Sequence, residues 1–130
     1  MIFGIGTDIV RVARMRDDLA RFGDRFAERI LTAGELQEFQ QNPSKANFLA
    51  RRFAAKEAAV KAMGTGFSDG VRLHDIEVTH DAHGKPVLAF HGRAREYLQE
   101  KNATIAHISL ADELDNAVAF VTIETAGDAQ

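Results

Sequence analysis

At 130 residues and 45% hydrophobic content, the chain fits one domain, 1–130, better than two. A formal charge of −3 argues against a general nucleic-acid binder, which carries a net basic footprint, and the absence of cysteine excludes disulfides, thiolate metal sites and a cysteine nucleophile. Met1 leads into no basic region or long apolar run, so neither a signal peptide nor a membrane span is expected, and the cytoplasm is the default compartment.

The opening run Ile2 to Val10, with Gly4 and Gly6 inside it, reads as a buried strand ending near Asp8. Val12, Met15, Leu19 and Phe22 then recur at helical spacing, with arginines on the other face and Gly23 as a terminator. Phe26 and Ile30 continue helically. Thr32-Ala33-Gly34-Glu35 has the spacing of a capping box for a short helix through Phe39. After a turn at Asn42-Pro43-Ser44, the longest helix is expected from about Lys45 to Met63, N-capped by Ser44 and stopped by Gly64-Thr65-Gly66.

Asp75 to His80 alternates as a half-buried strand, Asp81 to Pro86 is a turn, and Val87 to Phe90 returns as a second strand. Arg93 to Lys101 reads as a helix on Ala94, Tyr97 and Leu98. A hairpin, Ile105 to Leu110 and Ala117 to Ile123, closes the chain before a tail from Thr125 that should fray. Loops too short for parallel crossovers give an α+β fold, a mainly antiparallel sheet packed on a long central helix and shorter ones.

Charge is unevenly spread. Six arginines (Arg11, Arg14, Arg16, Arg21, Arg25, Arg29) face four acids between 11 and 29, while five acids and no Lys or Arg follow from Asp112. Such a basic face suits an acidic partner of limited size, or local salt bridges to Asp17, Asp18 and Asp24. Arg14, Arg21 and Arg25 form one stripe if the helix continues past Gly23.

Two carboxylates stand out. Glu57 lies between Phe53 and Val60 on the long helix, at the margin of an apolar face, where a carboxylate needs a cation. It is either a functional acid or half of an i, i+4 pair with Lys61. Asp8 follows an apolar strand and two glycines, so it either enters a cleft or N-caps a helix starting at Ile9 or Val10. Carboxylates from separate elements would suit magnesium, which keeps waters and substrate phosphates among its ligands.

Other motifs are absent. Gly4-Ile5-Gly6 lacks a third glycine, Gly84-Lys85 is followed by proline, and the five histidines have no zinc spacing. No G-x-S-x-G elbow is present, and Ser109 reads as a sheet residue.

Gly4-Ile5-Gly6-Thr7-Asp8-Ile9-Val10 resembles the N-terminal signature of the acyl-carrier-protein synthase group of phosphopantetheinyl transferases. Arg52-Phe53-Ala54-Ala55-Lys56-Glu57-Ala58-Ala59-Val60-Lys61-Ala62 is similar to its second signature, completed by Gly64-Thr65-Gly66, and His83-Gly84-Lys85-Pro86 stands near the family's Gly-Lys-Pro. The resemblance covers essentially the whole chain. It departs at Ser109-Leu110-Ala111-Asp112, where many members carry a histidine near the cofactor.

The resemblance implies transfer of 4′-phosphopantetheine from coenzyme A to a serine of apo acyl carrier protein, in fatty acid biosynthesis, leaving 3′,5′-ADP. On these residues it implies Mg²⁺ on Asp8 and Glu57, Lys61 on the diphosphate, and Arg52, Gly64, Thr65 and Lys85 at the cofactor. Glu57 and a metal-bound water are both candidates for the base. Arg14, then Arg21 and Arg25, would dock the acidic carrier, and the active chain would be a homotrimer with sites between subunits.

Overall fold

The chain begins as a strand that runs further than its apolar run predicts. In the computed structural model, which describes residues 1–127, β1 spans Ile2–Arg11. Gly4, Gly6, Asp8 and Val10 alternate onto its inner face, while Ile5, Thr7 and Ile9 are exposed. Asp8 therefore caps no helix. It sits in a ladder opposite Ala119, and the first helix starts four residues later.

That helix, α1 (Val12–Phe22), buries Val12 and Met15 and ends at Gly23, whose φ of 67° breaks it from α2 (Asp24–Ile30). Phe22, expected on the apolar face, is exposed and lies against Phe26 instead. In α3 (Ala33–Gln41) the predicted capping box is complete, since Thr32 accepts from the Glu35 N–H and Glu35 accepts from the Thr32 N–H. The helix runs two residues beyond Phe39.

Next comes α4 (Lys45–Met63), closed by Gly64 in the left-handed region as its glycine predicts. Ser44 occupies the N-cap position without a side-chain bond to the helix. Residues Phe48, Leu49, Ala50, Ala54, Ala55, Ala58, Ala59, Val60, Ala62 and Met63 are all buried, so apolar surface covers most of the helix circumference. Such a helix belongs at the centre of a core.

A 3₁₀ turn (Leu73–Asp75) leads to β2 (Ile76–His80) and β3 (Pro86–Phe90), an antiparallel hairpin. Helix α5 (Gly92–Glu100) and the hairpin β4 (Ile105–Asp112) and β5 (Asn116–Glu124) follow, each close to its predicted bounds. Every strand pair is antiparallel, but the strands form two sheets rather than one: β1-β5-β4 and β2-β3. The inner face of the three-stranded sheet, with Val10, Ala117, Ala119, Val121 and Ile123, packs on α4.

The end of the chain is better tied than its composition predicts. Thr125 donates its N–H to the Met1 carbonyl at 2.8 Å, and the Ala126 N–H reaches the Asn102 carbonyl at 2.8 Å. The rest of the predicted frayed tail, 128–130, lies outside the described residues.

Candidate active site

The seam between β1 and α4 is unusually close, and glycine makes it so. A Cβ on Gly4 would stand 1.8 Å from the Ala62 carbonyl oxygen, and one on Gly6 would stand 1.9 Å from that of Ala58. Both distances are well inside contact, so no other residue fits without moving the strand. Two residues along a strand (about 6.6 Å) match one turn of helix (about 5.4 Å), so each inner-face residue of β1 meets successive turns of α4. The next inner-face residue is Asp8.

Asp8 accepts from Lys61 Nζ at 3.0 Å, and the same ammonium donates to the Thr7 carbonyl at 3.0 Å. The i, i+4 alternative for Lys61 is thereby decided: its ion pair reaches across to the strand rather than back to Glu57. Glu57 is half-buried at the margin between Phe53 and Val60, as expected. Burial pushes its pKa up, the Asp8 charge pushes it further, and Lys61 and Arg14 pull it down. Arg14 itself lies with its guanidinium 5.5 Å from the centre of the Phe53 ring. Asp8, Glu57, Lys61 and Arg14, from three elements, thus form one electrostatic cluster.

The remaining predicted residues are spread around it. Arg52 is buried away from the cluster, donating to Glu38 Oε2 at 2.6 Å and stacked 4.5 Å from the centre of the Phe48 ring. Burial lowers its pKa, and Glu35 and Glu38 oppose that. It lines a cavity of about 440 Å³ with Glu38, Phe48, Arg51, His80 and Leu110. Arg51 and His80 had no sequence signal, because neither belongs to a local pattern; only the fold brings β2 to this face of α4.

Gly64 and Thr65 follow Lys61 by one turn, and their amides point at the Val60 carbonyl, at 3.0 and 3.3 Å. Lys85 stands exposed at the tip of the β2–β3 hairpin, its backbone N–H on Asp81 Oδ1 at 2.9 Å. Among the described residues no ion pair or hydrogen bond joins it to the cluster. Arg21 sits at the end of α1 over Phe22, and Arg25 belongs to α2, beyond the Gly23 break. The three arginines do not form a single-helix stripe.

One group was missed altogether. Lys56, beside Glu57 in sequence, is fully buried and donates to Glu35 Oε1 at 2.7 Å, to the Leu73 carbonyl at 3.1 Å and to the Ile76 carbonyl. Glu35 is also buried, and its second oxygen accepts from the Val78 N–H at 2.9 Å. Burial lowers the Lys56 pKa, with Glu35 opposing. The pair fastens α4 to α3 and β2 on the side away from Asp8, which sets the rotation of the helix and so the direction of Glu57. The capping-box spacing identified Glu35 as a cap but carried no sign of its burial.

The donor set of the cluster is oxygen only. One carboxylate comes from β1 and one from α4, and the Asp8 charge raises the cost of charge on Glu57. Among the described residues there is no group of three or more His, Cys, Asp or Glu placed to hold a metal. By the chemistry of their oxygens alone, two carboxylates such as Asp8 and Glu57 suit a hard cation that takes its remaining ligands from water and phosphate. They do not fit a closed zinc site.

A family model described as the 4′-phosphopantetheinyl transferase superfamily matches residues 4–118. The chain is 57% identical over 125 residues to the holo-[acyl-carrier-protein] synthase of Halorhodospira halophila, covering 96% of this chain and 99% of the relative. It is 51% identical to that of Alkalilimnicola ehrlichii, over 96% and 98%. The crystal structure of the Neisseria meningitidis holo-[acyl-carrier-protein] synthase superposes with a TM-score of 0.91 at 45% identity, covering 96% of this chain and all of that one. The Bacillus anthracis enzyme, solved in complex with CoA (3′,5′-ADP), gives 0.80 at 38% identity over 97% and 99%. With two signatures in order, a matching fold and relatives similar over nearly their full length, the chain belongs to the 4′-phosphopantetheinyl transferase superfamily.

Proposed function

We propose that the chain transfers 4′-phosphopantetheine from coenzyme A to a serine of apo acyl carrier protein, giving holo carrier protein and 3′,5′-ADP, and so serves fatty acid biosynthesis in the cytoplasm. The observation that carries this reading is the cluster of Asp8, Glu57 and Lys61 at the glycine seam. The solved relatives from Bacillus anthracis, in complex with CoA (3′,5′-ADP), and from Helicobacter pylori, in complex with coenzyme A, support the donor.

In this reading Asp8 and Glu57 would hold Mg²⁺, which when bound would supply positive charge to the diphosphate. Lys61, held by Asp8 and the Thr7 carbonyl, gives a second positive charge where negative charge accumulates on the leaving phosphate. The serine oxygen forms a bond to the β-phosphorus, the bond from that phosphorus to 3′,5′-ADP breaks, and the serine proton leaves to Glu57 or to a water beside it. Gly64 and Thr65, one turn beyond Lys61, bind coenzyme A beside its diphosphate, and Arg52 with its cavity and Lys85 bind the rest of the molecule.

Arg14 docks the acidic carrier next to the cluster, with Arg21 and Arg25 further out on two helices. A homotrimer with active sites between subunits is supported by the outer face of the three-stranded sheet. There Ile9 pairs with Val118, and Ile5 and Phe120 are also exposed, which makes an apolar patch suited to another copy. Such a face brings residues of a neighbour close to β1, which carries Asp8, and so would let one subunit complete the site of the next.

The test uses purified chain with Mg²⁺, coenzyme A and apo carrier protein, read by intact mass. A carrier heavier by one phosphopantetheine unit is expected. No gain with several apo carriers overturns the reading. Light scattering of the same sample checks the trimer.

A further inference from the structure

The proposed reaction, on which this inference rests, places Gly64-Thr65-Gly66 beside the coenzyme A diphosphate. Within the segment the Thr65 hydroxyl donates to the Gly66 carbonyl at 2.7 Å and the Ser68 hydroxyl to the Thr65 carbonyl, local bonds that do not tie it to the rest of the fold. The amides of Gly64, Thr65 and Gly66 converge on one acceptor, the Val60 carbonyl, at 3.0, 3.3 and 3.3 Å. Gly64, Gly66 and Gly70 have φ of 81°, 58° and 84°, and Asp69 takes φ of 60° without being glycine. A side-chain-bearing residue in the left-handed region needs neighbours that keep it there.

Those neighbours are on α5. Arg93 Nε donates to the Asp69 carbonyl at 3.1 Å, and its Nη2 pairs with Asp69 Oδ2 at 3.4 Å. The other end of the same guanidinium is fixed by Glu100 at 3.0 Å and Glu96 at 3.5 Å. The arginine stem lies close along the loop, since a Cβ on Gly70 would stand 3.3 Å from Arg93 Cγ. One turn further, the Tyr97 hydroxyl donates to the carbonyl of Met63, the last residue of α4, at 3.2 Å. Positions 93 and 97 are neighbours on one helix face. The two ends of the five-residue stretch 64–68 are therefore bolted to the same face of α5.

We infer that Arg93 and Tyr97 are positioning residues for the diphosphate of coenzyme A. They hold both ends of the 63–69 segment so that Gly64 to Gly66 and the last turn of α4 present one geometry to the phosphates. Neither residue is part of the Asp8–Glu57–Lys61 cluster, and Lys61 has its own anchors in Asp8 and the Thr7 carbonyl, so the brace acts mainly on binding. Without it the segment must be ordered by the ligand, and that ordering cost falls on affinity.

The experiment compares full-length wild type with Arg93→Ala, Tyr97→Phe and the double variant. It measures the Kd for coenzyme A by calorimetry and KM and kcat by carrier conversion. The double variant should raise Kd and KM for coenzyme A by about 3- to 10-fold while kcat stays within about 2-fold and the carrier KM is unchanged. Amide exchange of 64–70 should accelerate in parallel. Asp69→Asn, which tolerates the left-handed backbone and loses only the charge, should give a smaller rise that disappears in the Arg93→Ala background. If wild type modifies no carrier, the functional reading fails by itself. If wild type is active and the double variant lowers Tm with both coenzyme A constants unchanged, α5 is only structural and the inference is overturned.

Discussion

Asp8 and Lys61 meet at 3.0 Å across the seam between β1 and α4, so the lysine occupies a carboxylate that the proposed reaction assigns to a cation. On that assignment the ammonium and the metal would compete for Asp8 until phosphate took up the lysine. Lys61→Met should bind Mg²⁺ more tightly than wild type in the absence of coenzyme A, by about 3-fold or more. It should nevertheless lose about 100- to 1,000-fold in turnover. Weaker Mg²⁺ binding in a calorimetric titration would show that the lysine is no competitor.

The glycines of the seam predict a stability effect with a functional shadow. Gly6→Ala places a Cβ where the Ala58 carbonyl oxygen stands, 1.9 Å away, with the Ala62 nitrogen at 2.7 Å. Backbone on both sides cannot yield cheaply, so the denaturant midpoint should fall by an amount worth about 3 kcal/mol. An exposed control, Gly127→Ala, meets nothing and should be neutral.

Glu57 gives a pH dependence whose sign can be worked out. Its folded-state pKa is raised, first by burial and then by Asp8. Stability linked to its protonated form is thus fully present below the ordinary carboxylate pKa and is lost as pH rises through the folded value. With metal chelated, Glu57→Gln should match wild type at about pH 3.5 and be the more stable protein at about pH 7. Thermal melts at both values check this; an equal offset at the two would sink it. Added Mg²⁺ should reverse the order at neutral pH.

Lys56 and Glu35 make a buried ion pair that is costly to halve. Lys56→Met leaves the Glu35 charge without its cation and should destabilise by about 3–5 kcal/mol. Adding Glu35→Gln removes the stranded charge while keeping an acceptor, so the double variant should recover part of the loss. Equilibrium unfolding of the three proteins decides it.

Arg14 belongs to the cluster and lies over Phe53, while Arg25 lies on a different helix. Arg14→Glu should raise the carrier KM by about 10-fold or more, with coenzyme A binding little changed, and Arg25→Glu should do less. Steady-state kinetics at low and moderate salt separate the two, because the Arg14 effect should shrink as ionic strength rises.

Much of this architecture could be read from local chemistry. Glycine at 64, the Thr32–Glu35 spacing and the alternation from Ile76 each act within a few residues, and the helix ends, cap and strand they predict are present. Asp8 and Glu57 could be nominated from their apolar settings, but their meeting depends on Gly4 and Gly6 seated on α4, 50 residues away and more. The same limit hid Lys56. A lysine in a helix normally points to water, and only the convergence of Glu35 with the Leu73 and Ile76 carbonyls makes a fully buried one tolerable. Gly23 was legible as a stop, yet a glycine alone does not tell a pause from a turn; here it separates two short helices and divides the arginines between them.

The bare main-chain contact at Gly4 and Gly6 has a consequence for which ion the proposed site would accept. Between most strands and helices lies a layer of side chains that can change rotamer and let the two elements drift. Here strand and helix touch backbone to backbone, so the gap between the Asp8 and Glu57 anchor points has no compressible spacer and behaves as a fixed gauge. A small ion with strict octahedral demands gains from such a gauge, whereas calcium, which takes more ligands at longer and more variable distances, gains nothing from it. Selectivity between the two would then be written in residues that never touch the ion.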